Sequence, residues 1–309
     1  MKQHEIILEV FRTLPDPRVE RTKVHRLEII MFIALCTYLT GGQGFYDMES
    51  FAESKEDWLR KTVGMLSVPS HDTFNRVFQA ILPEKFNACL LELSNRLREI
   101  ISGDVVAFDG KTHRRTGGEG KTALHMLNAW SVGNSLVLGQ LAIGEKTNEI
   151  TAVPQLMDIL DLKGCVVTAD ALNCQKTIAA KTLEKGAEYI LAVKGNQHAL
   201  HEAVTLFMDA IAAKQSPGFE SVEKDHGRIE ERRYWQSDDI AWYSGGSQWP
   251  GLRSFVVVES MRESKGQQEH CRRYYISSLA YDVERVAKSI RDHWRVEYSD
   301  IRNIPIFVS

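Results

Sequence analysis

Three acidic residues carry the first chemical signal in this chain of 309 residues: Asp109, Asp170 and Glu297. Asp109 ends the β-rich run Asp104-Val105-Val106-Ala107-Phe108-Asp109, and Asp170 follows the run Cys165-Val166-Val167-Thr168. A side chain at a strand's end stands at the edge of a sheet. Glu297 closes a helical pattern from Asp282, in which Val283, Val286, Ala287, Ile290 and Trp294 recur at helical spacing. A period of about 3.6 residues puts Glu297 on that apolar face, where an unpartnered carboxylate is costly. Three carboxylates within about 4 Å of one another would repel by roughly 4 kcal/mol per pair at an effective dielectric near 20, so the cluster demands cations. Oxygen-only ligation suits Mg²⁺ or Mn²⁺, with two ions expected. Two such ions activate a water or a 3′-hydroxyl and stabilise the leaving oxygen of an in-line displacement at phosphorus.

Each acid also has a plainer explanation. Asp109-Gly110 is a common turn pair, Asp170 suits the cap of a following helix, and Glu297 is an ordinary residue near a helix end. Taken singly the plainer account is stronger. Taken together, on the right elements in the right order, the three fit it less well.

The elements that must position them fall into two parts. Residues 1–103 read as all-helical, with stripes such as Phe74, Val77, Phe78 and Ile81, then Phe86, Cys89, Leu90, Leu93, Leu97 and Ile100. Thr73, Asn75, Arg76 and Gln79 lie on the outer face of the first stripe. There they suit either a groove-reading helix-turn-helix or an ordinary helical hairpin. From residue 104 to 309 the texture is α/β. Three strands come first, with Gly133-Asn134 as a two-residue hairpin signal between the second and third. A helix at about 151–160, a strand at 165–168, a helix at about 175–184 and a strand at 189–193 follow. The order β-β-β-α-β-α-β predicts a mixed sheet covered on both faces, of the ribonuclease-H-like kind, with a β-rich insertion at about 200–280 before the last helix. In such a sheet the first and fourth strands are neighbours, which brings the two aspartates together.

Composition bounds the partners. A net charge of −3 and a pI near 6.4 do not announce nucleic-acid binding, so any DNA contact must come from local patches. Arg18, Arg21, Lys23 and Arg26 form one such patch, and Lys111, Arg114, Arg115 and Lys121 another; solvated charged faces are the plainer account of either. The five cysteines form no C-x-x-C pair and the ten histidines no H-E-x-x-H motif, which argues against zinc. The longest apolar run, Ile29 to Leu39, is too short for a bilayer span and reads as a buried helix. The amino terminus lacks a signal-peptide pattern, so the expected location is the cytoplasm, with no membrane partner.

The chain resembles the H-repeat-associated transposases linked to Rhs elements, a branch of the DDE insertion-sequence transposases. The stretches that carry the resemblance are Phe108-Asp109-Gly110-Lys111-Thr112, residues 145–154 from Glu145 to Pro154, and residues 168–175 from Thr168 to Gln175. Val193-Lys194-Gly195-Asn196-Gln197, His226-Gly227-Arg228-Ile229-Glu230 and residues 273–278 from Arg273 to Ser278 continue it. It implies divalent-metal-dependent cleavage and transfer of DNA strands at inverted-repeat ends, on terminal and target DNA, with self-association on the DNA. Asp109, Asp170 and Glu297, the last within His293-Trp294-Arg295-Val296-Glu297, match the family's metal-binding acids. Lys111, Arg114, Arg115, Lys194, Asn196, Gln197, His226 and Arg228 are candidate DNA-backbone contacts, against the alternative of a loop hydrogen-bond network.

The chain departs from the family pattern after the glutamate. Relatives continue with an Asn-x-Leu-His-Trp-x-Leu-Asp-Val pattern, whereas here Tyr298 leads to Pro305 and Ser309. That reads as a frameshift or premature stop, and the expectation is a weakly active or inactive product. Two rivals remain: a DNA-binding remnant that occupies element ends without cutting, and a helix-turn-helix regulator carrying a small-molecule domain.

Overall fold

The computed structural model describes residues 3–19, 23–98, 103–113, 124–143, 148–225, 228–264 and 267–298. The described residues form two compact units that divide between Arg98 and Gly103.

The first unit is helical: α1 (Gln3–Phe11), α2 (Leu27–Leu39), α3 (Phe45–Ser54), α4 (Glu56–Val63), α5 (His71–Ala80) and α6 (Pro83–Leu97). Its centre is α2, apolar on every side, which buries Leu27 and Ile29 through Ala34 between α1 and α3. That is why its sequence shows no polar stripe. α5 is capped by Ser70, whose hydroxyl accepts a hydrogen bond from Thr73 N at 3.4 Å, and turns Phe74 and Val77 inward. Arg76 and Gln79 are exposed on its other side. The basic cluster before α2 is tied inward. Arg18 grips Asp16 with Nε and Nη2 at 2.9 and 2.8 Å and donates to His25 O, while Arg26 donates to Val63 O at 2.8 Å. These guanidinium groups fasten the loop between α1 and α2. Arg21 lies outside the described residues.

The second unit is mixed α/β. Its strands are β1 (Val105–His113), β2 (Leu124–Ser131), β3 (Leu136–Ile143), β4 (Val166–Ala169), β5 (Glu188–Val193), β6 (Phe219–Asp225), β7 (Arg228–Ser237), β8 (Ser254–Ser264) and β9 (Gln267–Ser277). Four helices join them: α7 (Glu149–Ile159), α8 (Lys176–Glu184), α9 (His198–Lys214) and α10 (Val283–Tyr298). The strands make one sheet in the order β3-β2-β1-β4-β5-β9-β8-β7-β6. β1, β4 and β5 run parallel and every other neighbouring pair is antiparallel. The β-rich segment expected as an insertion continues this sheet, because β9 pairs with β5 from Ile190↔Ser277 to Val193↔Tyr274.

The turn between β2 and β3 differs from the two-residue hairpin expected at Gly133-Asn134. The chain reverses over Val132 to Ser135, and Ser135 takes a left-handed φ of 50°. The cause is distant in sequence. Asp104, before β1, accepts hydrogen bonds from Gly133 N at 2.8 Å and from the Ser131 hydroxyl, and so pulls the turn onto its carboxylate.

α10 covers the middle of the sheet. Val286, Ala287 and Ile290 share one core with Val105, Val166, Ile190, Val256 and Tyr275. α7 contacts β2 and β3, and α8 contacts β5.

Candidate active site

The parallel ladder of β1 and β4 runs from Val105↔Val166 to Phe108↔Ala169, and the next residues are Asp109 and Asp170. Two acids 61 positions apart in the chain thus leave neighbouring strands, about 4.8 Å apart, at one level. Side chains alternate between faces along a strand, so Val166 and Thr168, which lead to Asp170 just past β4, share one face, and Asp109 shares the corresponding face with Val105. That is the face packed by α10. Asp109 is half-buried and Asp170 is exposed.

Asp109 does not end its strand, contrary to expectation. β1 continues through His113, paired with β2 from Asp109↔Asn128 to His113↔Leu124; only the parallel partner stops. Gly110 is likewise no turn residue, since it pairs with Leu127 inside the ladder. A Cβ there would stand 2.2 Å from Glu149 Oε1 and 2.9 Å from His125 Nε2, so both side chains would have to shift to admit one.

Those two residues were not anticipated. Glu149 opens α7, after the Asn148 cap whose Oδ1 accepts from Thr151 N at 3.0 Å. Its Oε1 lies 2.8 Å from His125 Nε2, and its Oε2 accepts from Asn173 Nδ2 at 3.2 Å. The same Asn173 amide donates to Asp170 Oδ1 at 3.0 Å, and Asn173 N adds a bond of 3.2 Å to that oxygen. Asp170 therefore organises the loop after β4; the cap of α8 is Gln175. The available signal for Glu149 was its place in the 145–154 stretch, which no sequence argument had linked to Asp170.

On the α10 side, His293 is 7% exposed, and its Nδ1 lies 3.0 Å from Thr168 Oγ1. Burial pushes its pKa down to about 4, although the charge of Asp170 acts the other way, so the imidazole is neutral at pH 7. Burial pushes the Cys174 thiol up to about 12, and Asp170 adds to that shift. Glu297 belongs to the last turn of α10; its side chain lies outside the described residues.

The other expected site residues separate. Lys194 is exposed just after β5, at the same edge of the sheet as Asp170. Asn196 and Gln197 turn toward the Asp170 loop, with Asn196 Nδ2 donating to Ala171 O at 2.5 Å and Gln197 Nε2 to Cys174 O at 3.0 Å. Their amides thus belong to a loop hydrogen-bond network. Lys111 and Arg228 lie on β1 and β7, with side chains outside the described residues, as are Arg114, Arg115, Lys121 and His226 and the tail after Tyr298. Among the described residues, no three His, Cys, Asp or Glu side chains converge closely enough to hold a metal ion. No helix among them is long and apolar enough to cross a membrane.

Comparison with known proteins gives this arrangement its context. Residues 101–299 match the family model described as "Transposase DDE domain", and residues 8–93 match the one described as "DDE_Tnp_1-associated". The chain is 44% identical over 279 residues to an "Uncharacterized protein in dhlA 3'region" of Xanthobacter autotrophicus, covering 88% of this chain and 94% of that one. It is 36% identical over 309 residues to the "H repeat-associated putative transposase YhhI" of Escherichia coli (strain K12), covering 94% of this chain and 80% of the relative. The "H repeat-associated putative transposase YbfD" of the same strain is 36% identical over 234 residues, covering 73% and 91%. By these matches the chain belongs to the DDE transposase family, with the H-repeat-associated transposases among its relatives.

Proposed function

We propose that this protein is a DNA transposase in which Asp109, Asp170 and Glu297 hold divalent metal for strand cleavage and transfer at the ends of an insertion element. The second unit is read as a ribonuclease-H-like catalytic domain, and the helical unit as a binder of element ends. The observation that carries the proposal is that Asp109 and Asp170 each stand one residue past Phe108↔Ala169, the last parallel pair of β1 and β4.

The course of α10 supports Glu297 as the third acid. Arg285 Nη2 lies 3.7 Å from the Cβ position of Gly103, before β1, and His293 lies on Thr168. The helix therefore runs alongside β4 toward the aspartates. From His293 to Glu297 the helix rises about 6 Å. From Thr168 to Asp170 the strand advances about 7 Å. Glu297 follows His293 by one turn on the same helix face, so its backbone arrives level with Asp170.

The donors fit Mg²⁺ or Mn²⁺ chemically, since carboxylate oxygens are the preferred ligands of both ions. Bound there, the metal would lower the pKa of the attacking oxygen and offset charge on the leaving one. The chain's own part is positional. The sheet sets the spacing of the two aspartates, the Asn173 amide orients Asp170, and His293 seats α10 without adding charge. Lys194, at the same edge, suits a phosphate contact that fixes register without reading sequence. The partners are terminal inverted repeats and target DNA, and self-association on DNA would bring two ends together.

The test uses purified chain, a duplex carrying the flanking terminal inverted repeats, and Mg²⁺ or Mn²⁺ against chelator. Metal-dependent nicking is expected, lost by at least about a hundredfold in Asp109→Asn, Asp170→Asn and Glu297→Gln while DNA binding persists. Nicking that ignores Asp109→Asn refutes the proposal. Binding without any nicking by wild type favours the non-cutting remnant.

A further inference from the structure

We infer that Glu149, with His125 and Asn173, is a brace that aims Asp170 from the far side of the sheet, and that Gly110 lacks a side chain to make room for it. The inference rests on the reading of Asp170 as a metal-binding acid.

The faces separate the brace from the ligands. Asp109 and Val105 share the α10 face, so Gly110 belongs to the other face. Glu149 and His125 occupy the space a Gly110 side chain would take, which puts them on the α7 side. Asn173 joins the two faces where β4 has ended, since one amide nitrogen serves both Glu149 Oε2 and Asp170 Oδ1. Both oxygens of Glu149 are therefore engaged, one by His125 and one by Asn173. Placed on the α7 side of the sheet, opposite the face of Asp109, Glu149 is a positioning residue rather than a ligand.

The amide's orientation is fixed by chemistry. A reversed Asn173 would turn its carbonyl toward two carboxylates, whereas the observed one gives each a hydrogen. The choice has a cost. Asn173 is fully buried and its Oδ1 has no hydrogen-bond partner among the described residues. Such an orphaned acceptor is disfavoured in a core selected only for packing. Here it accompanies a donor that two anions require. The brace also removes freedom from Asp170, which is otherwise exposed on a short loop. Partners that orient a metal-binding carboxylate typically govern affinity by about ten- to a hundredfold.

The experiment is calorimetric titration of the purified full chain with Mn²⁺ alone, with metal-free melting followed by circular dichroism. Glu149→Ala, Asn173→Ala and Gly110→Ala should each weaken Mn²⁺ binding by about ten- to a hundredfold. Gly110→Ala combined with Glu149→Ala should bind no worse than Glu149→Ala alone, because the closest obstacle is then gone and the His125 ring, 2.9 Å away and released from Glu149, can shift. Glu149→Gln, nearly isosteric, serves if Glu149→Ala does not fold, and should also weaken binding. Wild-type affinity in a folded Glu149 variant, with binding lost in Asp170→Asn, overturns the brace alone. A wild-type chain that binds no Mn²⁺ overturns the metal reading and the brace with it. Failure of both Glu149 variants to fold overturns the brace as well, since Glu149 would then hold the sheet rather than aim an acid.

Discussion

Acidification should loosen this protein through His293. In an unfolded chain the imidazole takes a proton near pH 6.5; in the fold, burial pushes that point down to about 4. Between those limits the unfolded state binds more protons, so stability falls as pH falls and is fully present only above the unfolded value. Linkage over this interval gives a loss of about 2.5 kcal/mol by pH 4.5 and ~3 kcal/mol by pH 4. Asp292 acts in the opposite sense, because burial raises its pKa and the folded state takes its proton first. The clean quantity is therefore the difference between wild type and His293→Gln, from urea unfolding followed by circular dichroism at pH 8, 6 and 4.5. Glutamine keeps a polar partner for Thr168 but cannot take the proton. The variant should be less stable at pH 8, and its curve should be flatter toward acid by about 2 kcal/mol. Parallel curves for the two proteins would refute the argument, as would an imidazole NMR shift that titrates near pH 6.5 in the folded chain.

Three further outcomes test the packing around the site. Thr168→Val leaves the buried His293 Nδ1 without its partner at 3.0 Å and should cost about 1–3 kcal/mol in urea unfolding at pH 8. Cys174, whose thiol is pushed up to about 12, should resist iodoacetamide at pH 8 in the folded protein and react once unfolded, as read by peptide mass spectrometry. Ser135→Gly relieves a residue held at φ 50° and should raise stability by about 0.5–1 kcal/mol, seen as a higher urea midpoint with an unchanged slope.

The sequence was most legible where local pattern and local structure coincide. Periodic apolar residues mark α5, α6 and α10 because each buries one face, and an apolar run marks α2 because it is buried on every side. The short β-branched runs around Val105, Val166 and Ile190 mark strands buried on both faces, and their order places Asp109 and Asp170 at matching heights. Legibility ended where a distant group decides a local shape. Asp104 reshapes the turn at Val132 to Ser135 from 28 or more positions away, so the Gly133-Asn134 pair alone suggested the wrong loop length. The pairing of β9 with β5 joins residues more than 80 apart, and no period reports it.

Gly110 shows the same limit within the site. In sequence an aspartate followed by glycine signals a turn, and a glutamate opening a helix signals only favourable interaction with the helix dipole. Both residue choices have a local explanation, and neither suggests the other. In space they explain one another. A strand interior penalises glycine by roughly 0.5–1 kcal/mol relative to alanine, yet any Cβ at position 110 would collide with the Glu149 carboxylate. That carboxylate is held by His125 on one side and reaches Asp170 through Asn173 on the other. A glycine unfavourable for its own strand is thus consistent with a demand made by the acid on the neighbouring strand. The Gly110→Ala and Glu149→Ala pair is accordingly the sharpest probe of the site. If the substitutions act through one steric contact, their effects on melting will be strongly non-additive, and if Gly110 serves only its own strand, they will sum.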